Sequence, residues 1–367
     1  MKNEVRDFYQ MVAVWSLILI GFGLTQCTKS SPVSWTIPNF QKADSVNPIL
    51  TAGQNIFHCP VLNQNIKWDN KDVFNPAAVV RDGKIWLVFR AEDTIGRYNG
   101  TSRIGLAVSH DGLHFTKEQE PVFYPANDSM KIYEWEGGVE DPRVVETEEG
   151  QYLMTYTAYD GHTARLCIAL SGDLHNWKKM GTVLQGKYKN RWSKSGAVVA
   201  RREGSRIIAT KINGKHWMYF GDTNLFLASS PDLLHWTVLE ENNQWKPVLA
   251  PRAKMFDSRL VESGPYALLT EKGIVLIYNG MNLNEGGDAS LPAGAYCGGQ
   301  ALFDATDPSK LLDRLNNYFI KPDKPYEITG QINQVCFIEG LVWFNNQWLL
   351  YYGTADSRIA VAVADGK

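Results

Sequence analysis

Acidic side chains are the first chemistry that this sequence offers, because two carboxyl groups on opposite sides of a sugar ring can cleave a glycosidic bond. One carboxylic acid protonates the leaving oxygen and, for inversion, a second carboxylate activates water from roughly 6.5–9.5 Å away. The best acid candidate is Asp141, within the segment Trp135–Arg143. Its two glycines permit close backbone approach, Pro142 fixes the chain that follows, and aromatic and apolar neighbours are expected to raise the pKa of Asp141.

Further carboxylates stand at matching positions where strand-like segments end. Asp93, Asp160 and Asp356 each close a four-residue stretch that leaves such a segment, and Glu262 and Glu339 belong to the same end of the repeat. A single aspartate there is usually a turn cap, but several carboxylates directed into one cavity repel each other unless a ligand or arginines compensate. The pattern therefore indicates an acidic cavity suited to a polyhydroxylated ligand, and we count Asp160 among the candidate binding residues.

A recurring turn indicates which elements position these residues. Serine, aspartate two residues later and an aromatic residue six residues later recur at residues 109–115, 171–177 and 230–236, each time after an alternating strand. We expect Ser and Asp to cap the turn while the aromatic ring returns to the core.

Similar four-stranded units repeat along the chain with hardly any helical periodicity between them. Five such units predict an all-β fold, a five-bladed β-propeller that spans residues 51–367. A β-sandwich is the alternative architecture, but it would not need five copies. In a propeller the innermost strands line a central channel, so residues at equivalent positions meet at one end of it. The units begin near Asn75, Asp141, Ser195, Gly264 and Leu341, and the second strand of the third unit is expected to run from Ile207 to Lys211.

The composition narrows the class of partner. The 367 residues are 44% hydrophobic and 21% charged with a formal net charge of −2, which excludes a disordered chain and gives no electrostatic reason to expect nucleic acid. Twelve Trp and 16 Tyr suit buried β-structure and also stacking against sugars. The cysteines after Cys27 are widely spaced without a CxxC pair, so buried free thiols are expected, and neither a metal site nor a cofactor is predicted.

The N-terminus resembles an export signal. Lys2 and Arg6 precede an apolar run over residues 11–24, and residues 24–27 resemble a bacterial lipoprotein cleavage box in which Cys27 becomes the lipidated first residue, although Gln26 departs from the usual Gly or Ala. We therefore expect a signal peptide over residues 1–26, a linker over residues 27–50, and an exported lipoprotein anchored to a membrane, facing the periplasm or on the cell surface. An ordinary signal peptide or an uncleaved anchor is the alternative.

Several segments together resemble glycoside hydrolase family 130. They are Gly137–Arg143, Gly299–Asp304 followed by Asp307-Pro308, Tyr351–Asp356, and the recurring Ser-x-Asp turns. The resemblance covers nearly the whole chain after about residue 50. It implies a five-bladed propeller that acts on β-mannosides with inversion, either as a phosphorylase or as a hydrolase. It further implies that Asp141 is the proton donor, in some members through a sugar hydroxyl. The residues that it implies hold the mannosyl unit are Asn75, Arg90, Asp93, Arg143 and Asp356.

The choice between phosphate and water as acceptor is an electrostatic question, since phosphate needs cations and water needs a base. Family phosphorylases commonly carry His-Arg-Pro and Tyr-His-Gly where this sequence has residues 209–211 (Ala-Thr-Lys) and 278–280 (Tyr-Asn-Gly), although Lys194 and Lys211 remain as cations. We predict an inverting hydrolase that releases mannose from β-1,2- or β-1,4-linked mannosides, with Glu262 as the base and Glu339 as rival or helper. Either glutamate could instead bind substrate or pair with arginine.

Two other functions stay open at this point. The first is an inverting β-mannoside phosphorylase that uses inorganic phosphate. The second is a propeller that binds glycans without cleaving them. In each case the expected partner is an oligosaccharide. A lipid anchor is expected to attach the protein to the membrane.

Overall fold

The computed structural model describes residues 35–37, 40–98 and 100–366, and the regular secondary structure in this part of the chain is almost entirely β-strand. The all-β class is therefore confirmed. The predicted signal peptide and the predicted lipidation at Cys27 lie outside the described residues. Among those residues no helix is both long and apolar enough to cross a bilayer.

The strands follow one another in antiparallel succession, and short helices are rare. The first strands are β1 (Gln41–Lys42), β2 (Ile56–Cys59), β3 (Gln64–Lys67), β4 (Asp72–Arg81), β5 (Lys84–Glu92), β6 (Ser102–Ser109), β7 (Thr116–Lys117), β8 (Gly138–Glu146), β9 (Tyr152–Tyr159), β10 (Ala164–Ser171) and β11 (Trp177–Thr182). The middle strands are β12 (Ala197–Glu203), β13 (Arg206–Ala209), β14 (Lys211–Ile212), β15 (Lys215–Phe220), β16 (Leu225–Ser230), β17 (Thr237–Val238), β18 (Glu240–Glu241), β19 (Gln244–Trp245) and β20 (Pro247–Leu249). The last strands are β21 (Leu260–Ser263), β22 (Ala267–Thr270), β23 (Gly273–Met281), β24 (Tyr296–Phe303), β25 (Leu311–Arg314), β26 (Cys336–Phe344), β27 (Gln347–Thr354) and β28 (Arg358–Asp365). The helical segments are α1 (Lys131–Glu134), α2 (Pro325–Ile328) and a 3₁₀ turn at Gly186–Tyr188.

Neighbouring strands pair in antiparallel meanders that match the predicted units. β4 to β7 form one meander and β8 to β11 the next. On one side β23 pairs with β24, which pairs in turn with β25, and on the other side β23 pairs with both β21 and β22. The first strands of units, such as β4 and β26, are buried along almost their whole length. Continuous burial is expected when both faces of a strand are covered by neighbouring sheets. The number of propeller blades stays a prediction.

The first strand completes the last sheet. β1 pairs with β28, so Gln41 lies opposite Val363, and Lys42 Nζ donates a 2.7 Å hydrogen bond to the buried Glu327. Leu50 also forms a β-bridge to Ile359. The folded domain therefore begins before residue 51, and the predicted linker over residues 27–50 ends inside it.

The third unit departs from the predicted register. We expected its second strand to run from Ile207 to Lys211, but β13 pairs only with the far half of β12, and the hairpin of β14 and β15 follows it. The start of β12, just after Ser195, pairs instead with β15, at Tyr219. Lys211 is exposed in the inserted hairpin, away from the channel end.

The recurring turns form as predicted. Ser109 Oγ accepts hydrogen bonds from the backbone N–H groups of Asp111 and Gly112, and Asp111 Oδ1 accepts from two further backbone N–H groups. The turns at residues 171–177 and 230–236 repeat this pattern. The aromatic residue of each turn packs against a hydrophobic cluster between sheets, and Trp236 is buried in one. Cys59, Cys167, Cys297 and Cys336 are buried free thiols, as expected.

Candidate active site

Irregular backbone at the start of the inner strands positions the polar side chains. The pairing of β4 with β5 shifts register next to Asn75, and that of β8 with β9 shifts next to Asp141. Both residues have φ of 48°, and Ser195, just before β12, has φ of 59°. A third shift, in β26, falls at Glu339. Such bulges re-aim a side chain out of the ladder, which explains why residues from separate sheets meet here.

Asp141 lies at the centre of this cluster and is 2% exposed. Its Oδ1 accepts hydrogen bonds from Asn75 Nδ2 at 2.9 Å and from Arg90 Nη1 at 3.0 Å, and its Oδ2 lies 3.4 Å from Lys194 Nζ. Burial alone would raise the pKa of Asp141, but Arg90 and Lys194 outweigh it and hold the pKa below its usual value. The expectation that apolar neighbours raise this pKa was wrong, because cations and not apolar groups contact the carboxylate.

Glu262 joins the same cluster through Lys194. Lys194 Nζ lies 3.2 Å from Glu262 Oε1, and Ser195 Oγ donates a hydrogen bond to the same oxygen. One ammonium group therefore contacts both carboxylates and places Asp141 and Glu262 in the same cluster. Burial raises the pKa of Glu262, and Lys194 offsets only part of that rise.

Glu339 is paired with Arg143, the arginine two residues after Asp141. Arg143 Nη2 is 2.9 Å from Glu339 Oε1, but it donates its hydrogen bond to the carbonyl of Ser263 at 2.8 Å. Neither Glu339 oxygen therefore has a well-aligned donor among the described residues. Burial raises the pKa of Glu339 well above its usual value. Burial therefore favours the neutral form of this carboxyl group, against the opposing charge of Arg143.

Asn279 occupies the position of the histidine in family phosphorylases and fixes the strand that carries Glu339. Its Oδ1 accepts from the Ile338 N–H at 2.8 Å, and its Nδ2 donates to the Ile338 carbonyl at 3.1 Å. Asn279 is fully buried. Both polar atoms of its side-chain amide are therefore used to join β23 to β26.

Besides Glu92, two more carboxyl groups line a pocket of about 250 Å³ that includes Arg90, the partner of Asp141. Glu140 Oε1 accepts a 3.0 Å hydrogen bond from Arg90, and Asp356 also lines the pocket. Burial raises the pKa of both carboxyl groups to about 7, against the opposing effect of Arg90. Asp356 was predicted from the repeat. Glu140 was not singled out, although it stands next to Asp141 in the segment that was.

The structure does not bring Asp93 or Asp160 into this cluster. Asp93 accepts from the backbone N–H groups of Ile95 and Thr101, and it pairs with Arg103 at 2.6 Å. Asp160 likewise caps its own loop and pairs with Arg165 at 2.7 Å. Both carboxylates are used to hold loops, which is the turn-cap alternative that the sequence left open. No group of three or more His, Cys, Asp or Glu side chains in the described part of the chain is arranged to hold a metal ion.

The raised pKa of Glu140 predicts a pH-dependent stability. A carboxyl group whose pKa rises on folding contributes stability that is complete below its unfolded value, near 4.5, and is lost as the pH rises through about 7. Between pH 5 and pH 8 the free energy of unfolding should fall less in Glu140→Gln than in the wild type. We expect the two falls to differ by about 2 kcal/mol. Urea unfolding at both pH values measures this difference. Glu120→Gln, at an exposed site, is the matched control, and an equal fall in all three proteins would contradict the prediction.

The chain that carries this cluster is similar to known proteins. A family model for glycoside hydrolase family 130, described as beta-1,4-mannooligosaccharide phosphorylase, matches residues 41–366. A 1,2-beta-oligomannan phosphorylase from Thermoanaerobacter sp. is 31% identical over 310 residues, which cover 82% of this chain and 92% of that protein.

Solved structures of similar chains are also known. A glycosyl hydrolase from Bacteroides ovatus is 43% identical, with a TM-score of 0.88 over 91% of this chain and 96% of that one. A second structure, 42% identical with a TM-score of 0.89, covers 91% of this chain and 95% of the other. It comes from work on family 130 glycoside hydrolases that target beta-1,2 mannosidic linkages in Candida mannan.

Proposed function

Because the chain belongs to glycoside hydrolase family 130, we propose that it is an inverting enzyme that hydrolyses β-1,2-linked mannosides. The observation that carries this proposal is the placement of Asp141 and Glu262 on one lysine, with Glu339 on the neighbouring arginine. The relatives with a β-1,2 specificity in their names support the linkage.

In the proposed reaction Asp141 gives a proton to the leaving oxygen, directly or through a sugar hydroxyl. Glu262 takes a proton from the attacking water as the new C1–O bond forms and the glycosidic bond breaks on the opposite face. Asn75 and Arg90 are proposed to hold the mannosyl unit together with Arg143 and Asp356. The product would be α-mannose.

Asp141 must be protonated before it can act, although the cations around it favour its charged form. Glu140 and Asp141 share Arg90, so the two carboxyl groups titrate as a pair. We propose that in the substrate-free protein the proton of that pair favours Glu140, because burial raises the pKa of Glu140 to about 7 while Arg90 and Lys194 lower that of Asp141. We propose that a neutral sugar, by separating Asp141 from Lys194, weakens that ion pair and shifts the proton to Asp141.

The names of the curated relatives favour the alternative, phosphorolysis. The site supports it through Lys194, a partly buried cation between the two proposed catalytic carboxylates. Against it, the Glu262 carboxylate beside Lys194 places negative charge where a phosphate dianion would have to bind, and Lys211 lies elsewhere. We therefore place water, and not phosphate, as the acceptor in the proposal.

A phosphate-dependence assay separates these functions. The protein is incubated with β-1,2-mannobiose in phosphate-free buffer and in buffer with 10 mM phosphate (roughly ten times an upper-range KM), with sulfate at equal ionic strength as the control. We expect free mannose at the same rate in all three buffers, with the α-anomer appearing first by NMR. Cleavage that requires phosphate and yields α-mannose 1-phosphate would establish the phosphorylase instead. Intact mannobiose that stays bound would indicate a glycan-binding protein without activity.

A further inference from the structure

Three aromatic side chains form a row on the surface next to the pocket that includes Arg90. Tyr98 and Tyr159 are half-buried with ring centroids 6.4 Å apart, and Trp192, 48% exposed, lies 6.4 Å beyond Tyr159. The rings come from three separate segments: the β5–β6 loop, the end of β9, and the stretch before β12. An exposed tryptophan in line with two tyrosines is unusual for a surface that binds nothing.

Close packing and hydrogen bonds hold the rings in place. A methyl group at Gly161 would lie 2.1 Å from the Tyr98 ring, and one at Gly137 would lie 2.3 Å from the Tyr159 ring. Only glycine allows this approach. The hydroxyl of Tyr98 lies 3.3 Å from His162 Nε2, and the indole N–H of Trp192 donates a 2.7 Å hydrogen bond to Asp222. The ring faces therefore need little ordering when a ligand arrives, which lowers the entropic cost of binding.

Two rings of the row line the pocket of the proposed site, and the third is the neighbour of Tyr159 outside that lining. Tyr98 and Tyr159 line the same pocket as Arg90 and Glu140, and Trp192 lies two residues before Lys194. A sugar chain held at Asp141 by its terminal unit would extend either into solvent or along this row. The C–H faces of a pyranose ring are apolar and pack well on aromatic faces, while its hydroxyl groups stay in water.

We propose that Tyr98, Tyr159 and Trp192 form a binding surface for the sugar units on the leaving-group side of the bond. The occupant is the remainder of a β-mannosyl oligosaccharide, so the enzyme is selective for chains of three or more units over substrates with a short leaving group. This inference rests on the proposed function and adds the substrate length to it.

Substrate length tests the surface directly. We measure kcat/KM for a β-1,2-mannotriose or mannotetraose and for a 4-nitrophenyl β-mannoside, and we compare their ratio among variants. In Tyr159→Ala and Trp192→Ala we expect the ratio of oligosaccharide to aryl mannoside to fall about tenfold, mostly through KM of the oligosaccharide. Trp343→Ala removes an aromatic ring at the far end of β26 and is expected to leave the ratio unchanged.

The outcomes distinguish the two proposals. If the wild-type protein cleaves no β-mannoside, the proposed function is wrong and this inference is wrong with it. If the wild type cleaves both substrates and the two variants keep the wild-type ratio, only the inference is wrong. A conservative change, Trp192→Phe, should restore most of the ratio, since it restores an aromatic face; no recovery would show that the hydrogen bond to Asp222, and not the ring face, supports activity.

Discussion

Replacing Asp141 with Asn is expected to lower kcat on β-1,2-mannobiose by about 10³-fold. The amide keeps the shape of the side chain and its contact with Arg90, but it cannot deliver a proton to the leaving oxygen. A substrate with a good leaving group, such as 2,4-dinitrophenyl β-mannoside, needs little protonation of that oxygen. We therefore expect a much smaller loss on the activated substrate, and the two kcat ratios measured side by side isolate proton donation.

Asp82→Asn is the matched control for this experiment. This substitution removes the same negative charge at an exposed turn. Asp82 has φ of 52° there, which asparagine tolerates. It should leave both activities at the wild-type level. An equal loss on both substrates in Asp141→Asn would show that Asp141 binds or orders the site without acting as the acid, and would overturn the proposed role.

Replacing Glu262 with Gln is expected to lower kcat by about 10³-fold, whereas Glu339→Gln should cost less than about tenfold. A general base must be ionised. Burial raises the pKa of both glutamates, but the contact of Lys194 with Glu262 favours the ion there, whereas the pKa of Glu339 is raised well above its usual value. Azide, which needs no deprotonation to attack, should restore activity to Glu262→Gln and form α-mannosyl azide. Initial rates with and without azide, together with identification of the product, measure both effects.

Glu271→Gln serves as the control, because Glu271 is exposed at the opposite end of the β22–β23 hairpin. If the large loss and the azide rescue appear in Glu339→Gln instead, the two glutamates exchange roles. If neither variant loses activity, water is not activated by a carboxylate here and the hydrolytic proposal fails.

The sequence predicts the local elements of this fold well. Strands such as β5 and β23 and the three Ser-x-Asp turns depend on alternation and on hydrogen bonds within a few residues, which a single sequence records directly. The third unit shows the limit. The hairpin of β14 and β15 interrupts the expected second strand, and which strand pairs with the start of β12 is decided by contacts distant in the sequence.

The sequence predicted which residues form the candidate site better than it predicted their pKa values. Register identified Asp141 and Asp356, yet the same register included Asp93 and Asp160, because sequence position does not show which way a carboxylate turns after a strand ends. The low pKa of Asp141 depends on Arg90 and Lys194 arriving from other sheets. No pattern near residue 141 carries that information.

The pairing of β1 with β28 also bears on how the protein is made. Residues 41–42 leave the ribosome long before their partner strand, β28 (Arg358–Asp365), is translated. The sheet that contains β1 can therefore be completed only once β28 has emerged. Until then β27 lacks the neighbour that covers its second edge, so this interval is when the sheet is most exposed to aggregation.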